Sequence, residues 1–364
     1  MTEILIQENN ENKKIALVEN NELVEYYEED DDTNRREGNI YIGIVKDIIK
    51  GMQSAFVDIG TEKNSFIHLK DVLPKIDETK QKNDDNIDIG KVLKSNQKIL
   101  VQVKKDSNEK KGARVSTHIN LPSKYVVLMP NTNIVTASQK IENEKEQERL
   151  IKLVRENLDE NNGAIIRTSA QGKDKEIIED IKFIQKKWNE IIQTSINPNQ
   201  NKPKLLYKSE NIVDKIIMDL VEKDVQIKKG NDIFEDDIKK QIEKIKDRKI
   251  WLKCGGFITI DKTEALTAID VNTGKYTGRK NLEETVFKVN KEATIEIAKQ
   301  LRLRDIGGII IVDYIDMDNV EDKNTIENLL KQELKKDRTK TQVEGFTKLD
   351  LIEMTRKHIC SHKE

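Results

Sequence analysis

Cysteine is nearly missing from this chain: there are two in 364 residues, Cys254 and Cys360, and neither stands in a CxxC pair. That excludes a disulfide framework and a zinc site built on paired thiolates. Cys254, beside Gly255 and Gly256, reads as a small packed residue rather than a reactive thiol. Aromatic residues make up only 4% of the chain, so any exposed aromatic pair carries weight. No apolar run approaches the roughly 20 residues that a membrane span needs. The opening MTEILIQENN lacks the basic start and apolar stretch of a signal peptide, so the expected location is the cytoplasm. Neither sign of charge dominates, with 64 Lys and Arg against 66 Asp and Glu. The field of the whole molecule is therefore silent about nucleic acid, and any RNA or DNA contact must come from local patches.

What is present is charge and short apolar runs. Hydrophobic and charged residues each make up 36% of the chain, which favours small, highly charged modules over one broad core. The length suggests two to three units of about 150 residues. The first 32 residues alternate EILIQ, KIALVEN and ELVEYY with Asn-rich breaks, a β-meander ending in the acidic run EEDDD. From Gly38 to His118 come NIYIGIVKDIIK, GMQSAFVDIG, NSFIHLKDV and KILVQVKKD, four or five strands interrupted by the polar loop KIDETKQKNDDNIDIGK. Strand and helix alternate from Ile119 to Ile196: YVVLMP, a charged helix from about Glu142 to Leu158, GAIIRTS, and a helix from Lys173 to Ile192. INPNQNKPK holds two of the five prolines and reads as a linker. Asn211 to Ile250 reads as helical and charged. From Trp251 onward the order is strand, strand, helix, strand, helix and a final segment in KLDLIEMTRKH.

Two stretches in that last region, ALTAIDVNTGK (265–275) and GGIIIVDYIDM (307–317), are apolar runs that close on an aspartate. Between them Leu282, Val286, Val289, Ala293, Ile297 and Leu301 recur at helical spacing, with Asn281 and Glu284 as a capping box and Gly307 and Gly308 as the stop. A strand, helix, strand crossover of this length joins parallel strands, so Asp270 and Asp313 are expected at adjacent carboxyl ends if the strands are neighbours. Asn272 projects from the same strand face as Asp270 and can orient it. Two carboxylates and an amide suit a partly hydrated Mg²⁺, with Mn²⁺ as the alternative. The other reading is that strand-end aspartates cap a helix or satisfy a turn. A nucleotide-binding reading lacks its GxGxxG or GxxxxGK.

WLKCGGFITIDKTEALTAIDVNTGK and LEETVFKVNKEATIEIAKQLRLRDIGGIIIVDYIDM resemble the catalytic domain of the bacterial ribonuclease E/G family. NIYIGIVKDIIKGMQSAFVDIGTEKNSFIHLKDVLP is similar to that family's S1-type module, LPSKYVVLMPN and GAIIRTSAQGK to its 5′-sensor region, and LIEMTRK to a motif near its catalytic end. The resemblance implies a multidomain α/β protein. Residues 1–37 and 198–250 would form a reduced RNase H-like subdomain, 38–118 an S1-type OB-fold β-barrel, 119–197 an α/β 5′-sensor region and 251–364 a DNase I-like α/β catalytic domain. It also implies a Mg²⁺-dependent endoribonuclease for single-stranded RNA. Asp270 and Asp313 would hold the metal with Asn272 in support. Phe56, Phe66 and Lys111 would contact RNA, with His68 a further candidate. Arg167, Thr168, Val127 and Arg356 would hold a 5′-monophosphate. At the sensor, a guanidinium and a hydroxyl at a strand end just before a helix suit an anion, although an arginine there is also a common structural feature.

Three departures from the family pattern stand out. The chain ends HICSHKE where the family carries a CxxC-type zinc link between subunits, so zinc is not expected and the oligomeric state is open. The stretch between the sensor region and Trp251 is short. Ser123 stands where the family tends to have glycine. A noncatalytic RNA-binding relative is the competing reading, and intact Asp270, Asn272 and Asp313 speak against it.

Overall fold

The computed structural model describes residues 1–8, 12–30, 36–72, 88–107, 111–196, 202–210, 212–220, 225–274 and 282–359. The acidic run beyond Asp30, most of the polar loop before Asp88, most of the linker, Asn281 of the capping box, and Cys360 with His362 lie outside these residues. The chain divides into two units: 1–33 with 223–362, and 34–222.

The chain opens with β1 (Thr2–Glu8), β2 (Asn12–Glu19) and β3 (Glu22–Asp30). The second unit then runs through β4 (Ile40–Ile49), β5 (Ser54–Asp58), β6 (Ser65–His68), the single turn α1 (Ile89–Val92), β7 (Lys98–Lys105) and β8 (Arg114–Ser116). The strand order β4-β5-β6-β8-β7, closed by pairing of β4 with β7, makes a five-stranded barrel of OB-like form. Period-2 alternation builds it: Val45, Ala55, Val57, Ile67, Val101 and Val115 fill the interior, while Phe56, Phe66 and His68 point outward.

The same unit continues with β9 (Leu121–Pro122), β10 (Val126–Pro130), β11 (Val135–Ala137), α2 (Glu144–Asn157), β12 (Asn162–Ile166), α3 (Asp174–Ser195), β13 (Lys204–Tyr207) and α4 (Ile212–Asp219). Here β11-β12-β10-β9 form a small sheet. Its one face presents Val126, Leu128, Ala164 and Ile166, and these pack with Leu150 and Val154 of α2 and with Ile177, Ile181 and Ile184 of α3. Both helices carry their apolar residues at three- and four-residue spacing, which is why they cover that face. β13 adds itself to the barrel edge beside β4.

The first unit resumes with β14 (Val225–Gly230), α5 (Asp236–Lys244), β15 (Lys249–Trp251), β16 (Phe257–Lys262), β17 (Leu266–Asn272), α6 (Leu282–Leu303), β18 (Gly308–Asp313), α7 (Val320–Leu334), β19 (Thr341–Phe346) and β20 (Leu351–Arg356). One sheet has the order β14-β1-β2-β3, with β14 parallel to β1. The other is six-stranded, β15-β16-β17-β18-β20-β19, and only β17 and β18 are parallel within it. Val289, Ala293, Ile297 and Leu301 of α6, and Ile326 and Leu330 of α7, bury fully against its inner face. A truncation such as Ile297→Ala would cost about 2–5 kcal/mol there.

Two segments differ from the sequence expectation. The stretch after Asn211 is not helical throughout, because Val225–Gly230 is a strand. Its side chains are mostly exposed and lysine-rich, so it owes its form to the backbone ladder with β1 rather than to an apolar face. The chain end likewise contains an extra edge strand, β19, whose TQVEGF carries little apolar pattern.

Candidate active site and RNA-facing surfaces

The crossover through α6 places β17 and β18 side by side, and their register sets Asp270 directly opposite Asp313. Both carboxylates are exposed while the flanking Ile269, Val271 and Val312 are buried, so alternation lifts the acids off the core. Asn272 Nδ2 donates to Asp270 Oδ2 at 2.6 Å. These groups open into a shallow cavity of about 320 Å³, lined also by Thr273, Tyr314, Ile315 and Asp316. Burial, followed by the nearby Asp270 and Asp316 carboxylates, raises the Asp313 carboxyl above its ordinary value.

A hard divalent cation fits this donor set, because Mg²⁺ accepts carboxylate oxygens and keeps several waters. Among the described residues no group of three or more His, Cys, Asp or Glu forms a metal cluster. Such an ion would rest on Asp270 and Asp313, with water completing its shell.

The loop after Asp313 is held from beneath. Asn290 of α6, fully buried, donates through Nδ2 to Ile315 O at 2.8 Å and accepts from Ile315 N at 3.2 Å. Tyr314, also buried, shares a 2.9 Å hydrogen bond with Thr294 Oγ1. The sequence reading passed over Asn290, Thr294 and Asp316. A polar pair standing beside the apolar stripe of α6 was the available signal.

On the barrel, Phe56 and Phe66 are direct cross-strand partners. Their rings meet edge to face, with centroids 6.3 Å apart and planes at 69°. Both are half-buried. His68, on the same strand face, accepts from Lys70 N at its Nδ1. Gly112 lets the segment carrying Lys111 pass close: a Cβ there would lie 1.9 Å from Asn64 O. Phe66 N donates to Ala113 O at 2.7 Å, so Lys111 is delivered beside the strand of Phe66.

In the small sheet, Val127 pairs with Ile165, and Arg167 follows two residues later on the same open face. Arg167 N is fixed by Tyr125 O at 2.8 Å, and Thr168 is exposed with its hydroxyl 3.3 Å from Ser138 Oγ. The Arg167 guanidinium is already engaged, because Nη1 donates to Asp219 Oδ1 of α4 at 2.6 Å. Sequence spacing gave no hint of that carboxylate. Ser123 Oγ donates to Asp180 Oδ1 at 2.5 Å, and Tyr125 N donates to Asp180 Oδ2 at 2.8 Å, which ties the turn before β10 to α3.

Arg356 lies in the first unit, 3% exposed, and donates to Asp337 Oδ2, Asp305 Oδ1 and Ile306 O. Its surroundings are those of a buried ion-pair network rather than of an open anion pocket. Cys254 is partly buried against the core, and burial pushes its thiol up, as suits an unreactive residue. No helix of the described residues is long and apolar enough to cross a membrane.

The model of the Ribonuclease E/G family matches residues 120–229 and 225–359. Ribonuclease G of Escherichia coli (strain K12) is 36% identical over 392 residues, covering 98% of this chain and 79% of that protein. Ribonuclease G of Haemophilus influenzae is 38% identical over 391 residues, with the same two shares. Ribonuclease E of Nostoc is 35% identical over 357 residues, covering 88% of this chain and 51% of that protein. With a family model that matches most of its length and relatives that match it nearly end to end, this chain belongs to the ribonuclease E/G family.

Proposed function

We propose that this endoribonuclease cuts single-stranded RNA at the Asp270–Asp313 pair with a divalent cation, Mg²⁺ or Mn²⁺, and that it favours RNA bearing a 5′-monophosphate. The observation that carries the reading is the register of β17 and β18, which sets two exposed carboxylates side by side at neighbouring strand ends. When bound there, a divalent cation supplies a Lewis acid that lowers the pKa of water and screens phosphodiester charge. Asp270 and Asp313 would hold it. Asn272 fixes the rotamer of Asp270 through its 2.6 Å bond. Asn290 fixes the backbone after Asp313.

Affinity for the strand comes from elsewhere. The outward Phe56 and Phe66, with Lys111 on the adjacent connection, offer stacking surface and a cation, the two contributions by which OB-type barrels hold single strands. We read residues 38–118 as that RNA-binding module and 119–197 as the 5′-sensing region. In this reading residues 251–364 are the DNase I-like catalytic part, and 1–37 with 198–250 the RNase H-like part. At the sensor Arg167, Thr168 and Val127 would meet the terminal phosphate and its nucleotide. Arg356, which the family resemblance adds to that phosphate set, has its guanidinium on Asp337, Asp305 and Ile306 O.

The test compares one A/U-rich oligoribonucleotide carrying a 5′-monophosphate, a 5′-triphosphate or a 5′-hydroxyl, in Mg²⁺ or in EDTA. Cleavage only in Mg²⁺ and fastest for the monophosphate is the expected result. Equal rates in EDTA would remove the metal from the account, and equal rates for all three ends would leave the sensor residues structural.

A further inference from the structure

The outer face of the catalytic sheet carries a second group of side chains beside the two carboxylates. β15 pairs with β16 so that Trp251 opposes Phe257 and Lys249 opposes Thr259. β16 pairs with β17 so that Phe257 opposes Asn272 and Thr259 opposes Asp270. Directly opposed residues share a face. Trp251, Phe257 and Asn272 therefore form one row, and Lys249, Thr259, Asp270 and Asp313 form the next. At about 4.8 Å per strand, Trp251 stands roughly 10 Å from Asn272.

Trp251 is 55% exposed, whereas the other tryptophan, Trp188, is 6% exposed. Its ring packs edge to face on Phe257, centroids 5.3 Å apart and planes at 61°. Lys249 Nζ lies 4.2 Å from the Trp251 ring centroid and 3.5 Å from that of Phe257. A lone exposed aromatic needs no explanation. This one is paired, bears a cation, and sits on the face where RNA must pass.

Resting on the ribonuclease reading above, we propose that Lys249, Trp251 and Phe257 form a subsite that stacks one unpaired nucleobase of an RNA whose nearby phosphodiester lies at Asp270 and Asp313. A cation held by the two carboxylates screens the phosphodiester but offers the bases no contact, so grip on the nucleotides themselves comes from neighbouring groups. An indole offers a sequence-tolerant stacking surface, and the lysine offers charge complementary to the backbone. Bases inside a duplex have both faces covered, so the subsite also selects single strands.

Trp251 emission, read with a short A/U-rich single-stranded RNA in EDTA, reports occupancy without cleavage. The expected result is a quench on binding, in wild type and equally in Asp270→Asn. Trp251→Ala should weaken binding about 5- to 150-fold, the range for one lost base–aromatic stack, while Trp251→Phe keeps most of it. An abasic ribonucleotide scanned along the strand should, at one position, erase the difference between wild type and Trp251→Ala. Bound RNA that leaves the emission unchanged would overturn the subsite, as would a Trp251→Ala protein that binds every RNA in the series as wild type does. A sedimentation shift in Trp251→Ala with unaltered RNA affinity would assign the face to a second copy of the chain. Cleavage that survives Asp270→Asn overturns the ribonuclease-site reading instead and leaves the quench standing.

Discussion

Replacing Arg356 with methionine should damage the fold before it touches recognition of the RNA end. The guanidinium donates to Asp337 Oδ2 at 2.7 Å, and to Asp305 Oδ1 and Ile306 O at 2.9 Å. The side chains of Arg356, Asp305 and Asp337 are at most 1% exposed. Methionine matches the length of the side chain but leaves two interior carboxylates without their cation. Breaking a buried pair from one side costs about 3–5 kcal/mol, a large share of a typical domain's stability. The pH dependence has a definite sign. In the wild type, burial alone would raise the Asp337 carboxyl, but the Arg356 charge and hydrogen bonds, with those of Thr339, outweigh it and hold it below its ordinary value. A depressed folded pKa contributes stability above the unfolded value and loses it as pH falls through the folded one, so the wild type gives up this contribution below about pH 4. In the methionine variant only the Thr339 hydrogen bonds remain to offset burial, so the Asp337 carboxyl rises and its protonation relieves the damage. The deficit should therefore be largest at pH 7 and shrink toward pH 5. Urea unfolding at both pH values measures it. A variant with the wild-type midpoint at pH 7 and a lost preference for 5′-monophosphate would refute the reasoning and return Arg356 to the phosphate.

Three further outcomes follow from the geometry. Asn290→Ala leaves the N–H and carbonyl of Ile315 without their clasp, at about 1–3 kcal/mol for a buried polar group. Turnover should fall with RNA affinity unchanged, read by kcat against Kd. Asp219→Asn releases the Arg167 guanidinium from a partly buried ion pair; at the roughly 0.2–1 kcal/mol of a surface pair, the advantage of monophosphorylated over hydroxyl-ended RNA should grow by about fivefold. An unchanged or smaller advantage would show that Asp219 positions the arginine rather than competing for it. Phe66→Ala should weaken binding of single-stranded RNA by about 1–3 kcal/mol, measured by anisotropy, while the barrel stays folded because the ring points out of it.

The architecture was legible where side chains carry a period. Ala55, Val57 and Ile67 alternate with Phe56 and Phe66, so the barrel strands could be drawn from the sequence, although spacing alone favoured the two phenylalanines as core and only the family resemblance turned them outward. Val289, Ala293, Ile297 and Leu301 wrote the covered face of α6, and with it the parallel neighbours that bring Asp270 opposite Asp313. Legibility failed where the backbone alone makes the element. β14 and β19 are edge strands whose side chains face water, and a lysine-rich or glutamine-containing edge looks like helix or coil. It failed again for partners distant along the chain. Asp219 lies 52 residues from Arg167, and Asp305 lies 51 from Arg356, so no local pattern couples them. The short Lys249–Ile250–Trp251 strand shows the same limit, since its alternation acquires meaning only beside Phe257 and Asn272.

Asp270→Asn and Asp313→Asn, each assayed for cleavage and for binding of the same A/U-rich RNA in Mg²⁺, address the central claim directly. Both positions are exposed, so the fold should survive either change. The account predicts that each variant loses cleavage while RNA binding stays close to wild type, because these carboxylates serve the metal and the aromatic faces serve affinity. Cleavage at the wild-type rate in both variants would contradict it.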